Sequence, residues 1–121
     1  MKFWDPVPIL LDPMRAGEID SRFIDLTNDL GAAGDQIFDL SAVSIGFTRR
    51  DGFPTTTNDL SLAGIQWPNT LDPTGLILTI GLLAPSTSAG VNYGIVLTVD
   101  KTLQGRLFIR DLTIDVLATM G

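Results

Sequence analysis

Thirteen of the fourteen acidic residues in this 121-residue chain are aspartates, and Asp20, Asp25, Asp29, Asp35 and Asp39 form one acidic row. Carboxylates so placed could gather around calcium, but their spacing does not match a compact calcium loop with its central glycine. Short acidic side chains beside Gly, Asn and Thr suit turns, where a carboxylate accepts hydrogen bonds from nearby backbone N–H groups. Asp29 and Asp35 are expected to cap turns in this way, and the others to face solvent. The chain has no Cys and no His. Disulfides, thiolate nucleophiles, imidazole bases, iron–sulfur ligation and ordinary zinc sites are thereby excluded.

Two carboxylates flanking a sugar bond would suffice for glycoside hydrolysis, and proximity in sequence nominates Glu18 with Asp20 or Asp111 with Asp115. Ser86, Thr87 and Ser88 offer hydroxyls, but no histidine can activate them and Lys101 has no evident relation to them. The expectation is no enzyme, no metal and no cofactor. Arg49 and Arg50, beside Asp51, could grip a carboxylate on an adjacent subunit or simply solvate a strand end. Phe53-Pro54 and Trp67-Pro68 put aromatics on stiffened segments, where they could anchor an interface, and Trp67 could equally close one end of a core. For a sugar-binding module, the platform would be Trp67 with Asn69 or Tyr93 with Asn92.

A formal charge of -6 argues against nucleic acid or an anionic membrane as partner. No apolar run approaches the roughly 20 residues of a spanning helix. The residues from Met1 to Pro6 lack the apolar stretch of a secretory signal, so synthesis in the cytoplasm is expected.

Residues 1–20 hold Pro6, Pro8, Pro13 and Gly17, which favour an extended arm over a helix. Its apolar side chains, with Phe3, Trp4, Ile9 and Leu10 foremost, either cover the open side of the domain's own core or dock on a neighbour. Residues 20–39 suggest irregular extended structure with one helical turn. Val43, Ile45 and Phe47 alternate with Ser44, Gly46 and Thr48, as in a half-buried strand. Residues 62–67 suggest a short strand. Residues 76–83 are apolar on both faces, which places that strand centrally or under the arm. Tyr93, Ile95, Leu97 and Val99 alternate against polar neighbours and lead through residues 101–106 into residues 107–117, the best hairpin in the chain. In that last strand Leu107 and Ile109 are out of phase with Leu112, Ile114 and Val116, so a β-bulge is expected near Arg110-Asp111. Strands without a long helical period predict an all-β antiparallel sandwich at residues 21–121 behind the arm.

The segment Glu18-Ile19-Asp20 followed by Phe23-Ile24-Asp25-Leu26, the connection Leu30, Gly34-Asp35 and Gln36-Ile37, and the three strands at 76–82, 91–100 and 106–116 around the turn 102–106 together resemble the small immunoglobulin-like β-sandwich proteins among the structural proteins of tailed bacteriophages. The family's tryptophan in the opening segment is replaced here by Phe23 or Leu26, and its serine-rich midregion by residues 53–69. The resemblance implies an immunoglobulin-like sandwich in a virion, at a tail, neck, fibre attachment or capsid surface, made in the bacterial host cytoplasm. It also implies a homo-oligomer with other virion structural proteins as partners, no nucleic acid or membrane, and no catalytic residues. The interface residues expected are Phe3, Trp4, Ile9, Leu10, Arg49, Arg50, Phe53 and Trp67, and the alternative is a carbohydrate- or host-surface-binding module.

Overall fold

The computed structural model describes residues 8–118, so Phe3 and Trp4 lie outside the described residues. Nine strands follow one another: β1 (Ile9–Leu10), β2 (Met14–Arg15), β3 (Ile19–Asp25), β4 (Val43–Arg49), β5 (Ser61–Leu62), β6 (Thr70–Leu71), β7 (Ile77–Leu83), β8 (Asn92–Val99) and β9 (Phe108–Leu117). They form two packed sheets, an all-β sandwich-like architecture. One sheet runs β1-β9-β8-β4, with β2 also on β9, and the other runs β3-β7-β5, with β6 also on β7. All pairs are antiparallel except those of β1 and β2, which lie parallel to β9.

Alternation sets which side of each strand is buried. Tyr93, Ile95, Leu97 and Val99 of β8 and Leu112, Ile114 and Val116 of β9 are buried in one core with Leu78, Ile80 and Leu82 of β7. The arm adds Leu11, Met14 and Ala16 to that core. Arg22 holds it in place: its guanidinium donates to the carbonyls of Asp12 at 2.8 Å and Pro13 at 2.7 Å, and pairs with Asp20 at 3.0 Å. Among the described residues no helix is long and apolar enough to cross a membrane.

Three expectations need correction. Residues 19–25 are a regular strand in register with β7 from Ile19↔Leu83 to Asp25↔Ile77, and the helical turns come afterwards, at Gly31–Ala33 and Leu40–Ala42. The strand was hidden because Asp20 and Arg22 occupy alternate positions that would ordinarily be apolar, while Phe23 points outward. β9 has no bulge at Arg110-Asp111, since its pairing with β8 runs unbroken from Val99↔Phe108 to Asn92↔Asp115. Leu107 and Ile109 are simply exposed, and the inward series contains a cation, Arg110, which pairs with Asp29 at 3.4 Å. An extra residue sits instead in the arm, where β1 to β2 advances from Leu10 to Met14 while β9 advances only from Thr113 to Val116, around Pro13. Finally, the strand at 62–67 is limited to Ser61–Leu62, and the chain then turns away.

Candidate functional site

Two buried aspartates organise the polar interior; Asp35 caps backbone amides as expected, and both do more than cap a local turn. Asp59 receives the Tyr93 hydroxyl at 2.6 Å, the Thr56 amide at 2.8 Å and the Arg49 guanidinium at 3.3 Å. Tyr93 projects from the inner face of β8 and Arg49 ends β4, so Asp59 draws the loop after β4 onto both strands of one sheet. The hydrogen bond from Tyr93 leads the effects that hold the Asp59 carboxyl below its usual range, followed by the Thr56 amide, and together they outweigh desolvation. Burial, reinforced by the Asp59 hydrogen bond, pushes the Tyr93 hydroxyl up to about 12. Tyrosine therefore remains the donor and aspartate the acceptor at neutral pH.

Asp35 does the same for the turn between β8 and β9. Its carboxylate accepts from the Thr102 hydroxyl at 2.6 Å, the amides of Gln104 at 3.0 Å and Gln36 at 2.9 Å, and Arg106 Nε at 3.2 Å. Burial is the largest single influence and raises its pKa, but these donors together prevail and the net shift is downward. Asp29, the other expected cap, is committed to Arg110. Local capping falls to different residues: Asp25 accepts from Thr27, Asp39 from Ser41, and Asp72 from Thr74, Leu76 and Ile77.

The acidic row is thus dispersed among separate partners. No group of three His, Cys, Asp or Glu side chains among the described residues converges to hold a metal ion. The hydrolytic pairs fare no better as a cleft. Glu18 accepts from the Arg15 amide and Asp20 is tied to Arg22, while Asp111 and Asp115, four residues apart on β9, are separated by about 13 Å of strand. In the hydroxyl loop Ser88 is buried and Thr87 donates to the Asn58 carbonyl at 2.7 Å.

The expected interface residues scatter over three places. Ile9 packs against the core, whereas Leu10, 72% exposed, borders an open groove of about 670 Å³ between the arm and β3, with Phe23 and Arg110 on its other walls. Arg49 is occupied within the chain, by Asp51 at 2.7 Å as well as Asp59, and its guanidinium lies 5.5 Å from the centre of the Phe53 ring. Arg50 is exposed on the outer face of its sheet. Phe53 remains 67% exposed and Trp67 45%. The Trp67 backbone crosses β7 so closely that a Cβ on Gly81 would lie 1.7 Å from the Trp67 carbonyl oxygen. This pins residues 63–69 and leaves the indole half outside, not as a plug for the core.

Tyr93 cannot present a sugar-binding face, because its ring is fully buried and Asn92 is bonded to Asp115 at 2.7 Å. Asp59, Tyr93, Asp35 and Arg22 escaped notice as a structural set. The only available signal was that Tyr93 falls on the inward side of the β8 alternation, where a hydroxyl demands a buried acceptor. No protein-family model matches this chain, and no curated protein matches it either.

Proposed function

We propose that this chain is a non-enzymatic structural component of a tailed bacteriophage virion, an immunoglobulin-like sandwich made in the host cytoplasm that meets neighbouring subunits through its arm and loops. The observation that carries the reading is a division of labour between polar and apolar side chains. The ordered arginines and aspartates of the interior are consumed in tying the arm and loops to the sheets. Large apolar side chains on the arm, the β3 edge and the loops are left outward: Leu10, Phe23, Phe53, Ile65 and Trp67. Such side chains suit contacts with a neighbour, since burying one contributes about 2 kcal/mol before ordering costs. The resemblance of the opening segment, the last three strands and their turn in sequence to phage structural proteins suggests the biological setting.

Mass distribution measured at several concentrations, together with electron-microscope imaging, tests the assembly role. Ordered oligomers are expected, and Trp67→Ala with Phe53→Ala should shift them toward monomer, with circular dichroism showing that the variants remain folded. Assemblies indifferent to both substitutions and to removal of residues 1–7 would contradict a role for arm and loops.

A further inference from the structure

Apart from the apolar side chains assigned above to the arm and loops, the outer face of the β1-β9-β8-β4 sheet carries a further arrangement. On β8 the outward positions are Asn92, Gly94, Val96 and Thr98, and on β4 they include Gly46 and Thr48. Gly94 and Gly46 leave bare backbone in the middle of the face, and Gly46 has no steric need of glycine from the body of the chain. A Cβ on Gly46 would meet nothing within 4 Å, whereas one on Gly94 would meet the Thr48 hydroxyl at 3.2 Å, the Arg50 side chain at 3.8 Å and the Thr48 carbonyl oxygen at 3.9 Å. The result is a shallow depression of about 410 Å³ whose walls include Arg50, Val96, Asp111 and Pro8.

The register places the two charges symmetrically. Gly94 pairs with Thr48 on one side and Thr113 on the other. Arg50 lies two residues beyond Thr48, toward Asn92, and Asp111 lies two residues before Thr113, toward Val96. They therefore stand diagonally across Gly94, at equal steps in opposite directions. Both are exposed, and neither forms an ion pair among the described residues.

We propose that this face binds a second copy of the same chain, face to face, about a two-fold axis passing over Gly94. Such an axis brings each Arg50 over the partner's Asp111, making two equivalent ion pairs, as an isologous interface requires. The absent Cβ atoms let the two backbones approach at the axis, and Val96 and Ile109, 37% and 56% exposed, supply apolar contact around it. The charge pattern selects this occupant: a cation and an anion related by the symmetry of the face itself are complementary to a copy of that face.

Sedimentation velocity of the full-length chain over a range of concentrations tests the inference, with circular dichroism confirming that each variant is folded. The wild type is expected to dimerise, more weakly at high salt. Arg50→Asp and Asp111→Arg should each weaken the dimer about 10-fold or more, and the double variant R50D/D111R should restore it, because the swapped charges meet again across the axis. A monomer at every concentration, or a dimer that ignores R50D and is not rescued by the swap, would overturn the proposal. Assembly that survives R50D but is lost in W67A would do the same while leaving the arm and loop role intact.

Discussion

The turn at residues 101–106 and the excursion at residues 50–69 are each fastened by one buried carboxylate that accepts a hydroxyl, a backbone amide and an arginine. What surrounds the two carboxylates differs. The turn is also closed by its own backbone bonds, Thr102 to Arg106 and Gly105 to Thr102, and it joins two strands in continuous register. The excursion has only Ser61–Leu62 in a ladder, so its tertiary order rests on Asp59 and the crossing at Gly81, together with buried Leu60 and the hydrogen bonds Thr87 to Asn58 and Gly81 to Asn69. A carboxylate that backs up a ladder is partly redundant, and one that replaces a ladder is not. The comparison also explains why polar groups that looked available for chemistry are spoken for.

Asp59→Ala is the strongest challenge to this contrast. It strands the buried Tyr93 hydroxyl and removes one of the two acceptors of Arg49, and an expected loss of about 3–5 kcal/mol would be read from denaturant unfolding. Gly81→Ala comes next, because the new methyl must displace the Trp67 backbone; a loss of about 3 kcal/mol, with exposure of residues 63–69 to protease, is expected. Asp35→Ala should cost less, about 2 kcal/mol, since Arg106 is 53% exposed and can hydrate while the hairpin stays in register. Equal losses for Asp35→Ala and Asp59→Ala would break the comparison.

Tyr93→Phe sharpens it at the smallest scale, with about 1.5 kcal/mol expected. The Tyr93 pKa is raised on folding, so its contribution is complete below about pH 10 and is lost as pH rises through about 12. Thermal midpoints of the wild type should fall over that alkaline interval, and those of the Tyr93→Phe variant should fall less.

The central strands were legible because their inward positions are uniformly apolar: Val43, Ile45 and Phe47 on β4, and Tyr93 to Val99 on β8. The hairpin into β9 followed from the same alternation. Where an inward position carries charge, periodicity misleads. Arg110 made a regular strand look bulged, and Arg22 with Asp20 made β3 look irregular, because the partners that justify those charges, Asp29 and the arm carbonyls, are distant in sequence or on the backbone. Nothing local marks Asp59 among thirteen aspartates, and its role exists only once β8 brings Tyr93 to it. The parallel seating of the arm on β9 is likewise a long-range pairing with no local signature.

Amide hydrogen exchange on Asp59→Asn and Asp35→Asn, compared with the wild type, tests the claim that the excursion depends on its carboxylate while the turn does not. Asn keeps the shape and one acceptor oxygen but removes the charge. The account predicts that Asp59→Asn accelerates exchange at Thr56 and Asp59 and at Ala63, whose amide donates to Gly81, with β8 amides still protected, and that Asp35→Asn leaves all of these slow. Unchanged exchange at residues 56–63 in Asp59→Asn, or the same acceleration in both variants, would contradict it.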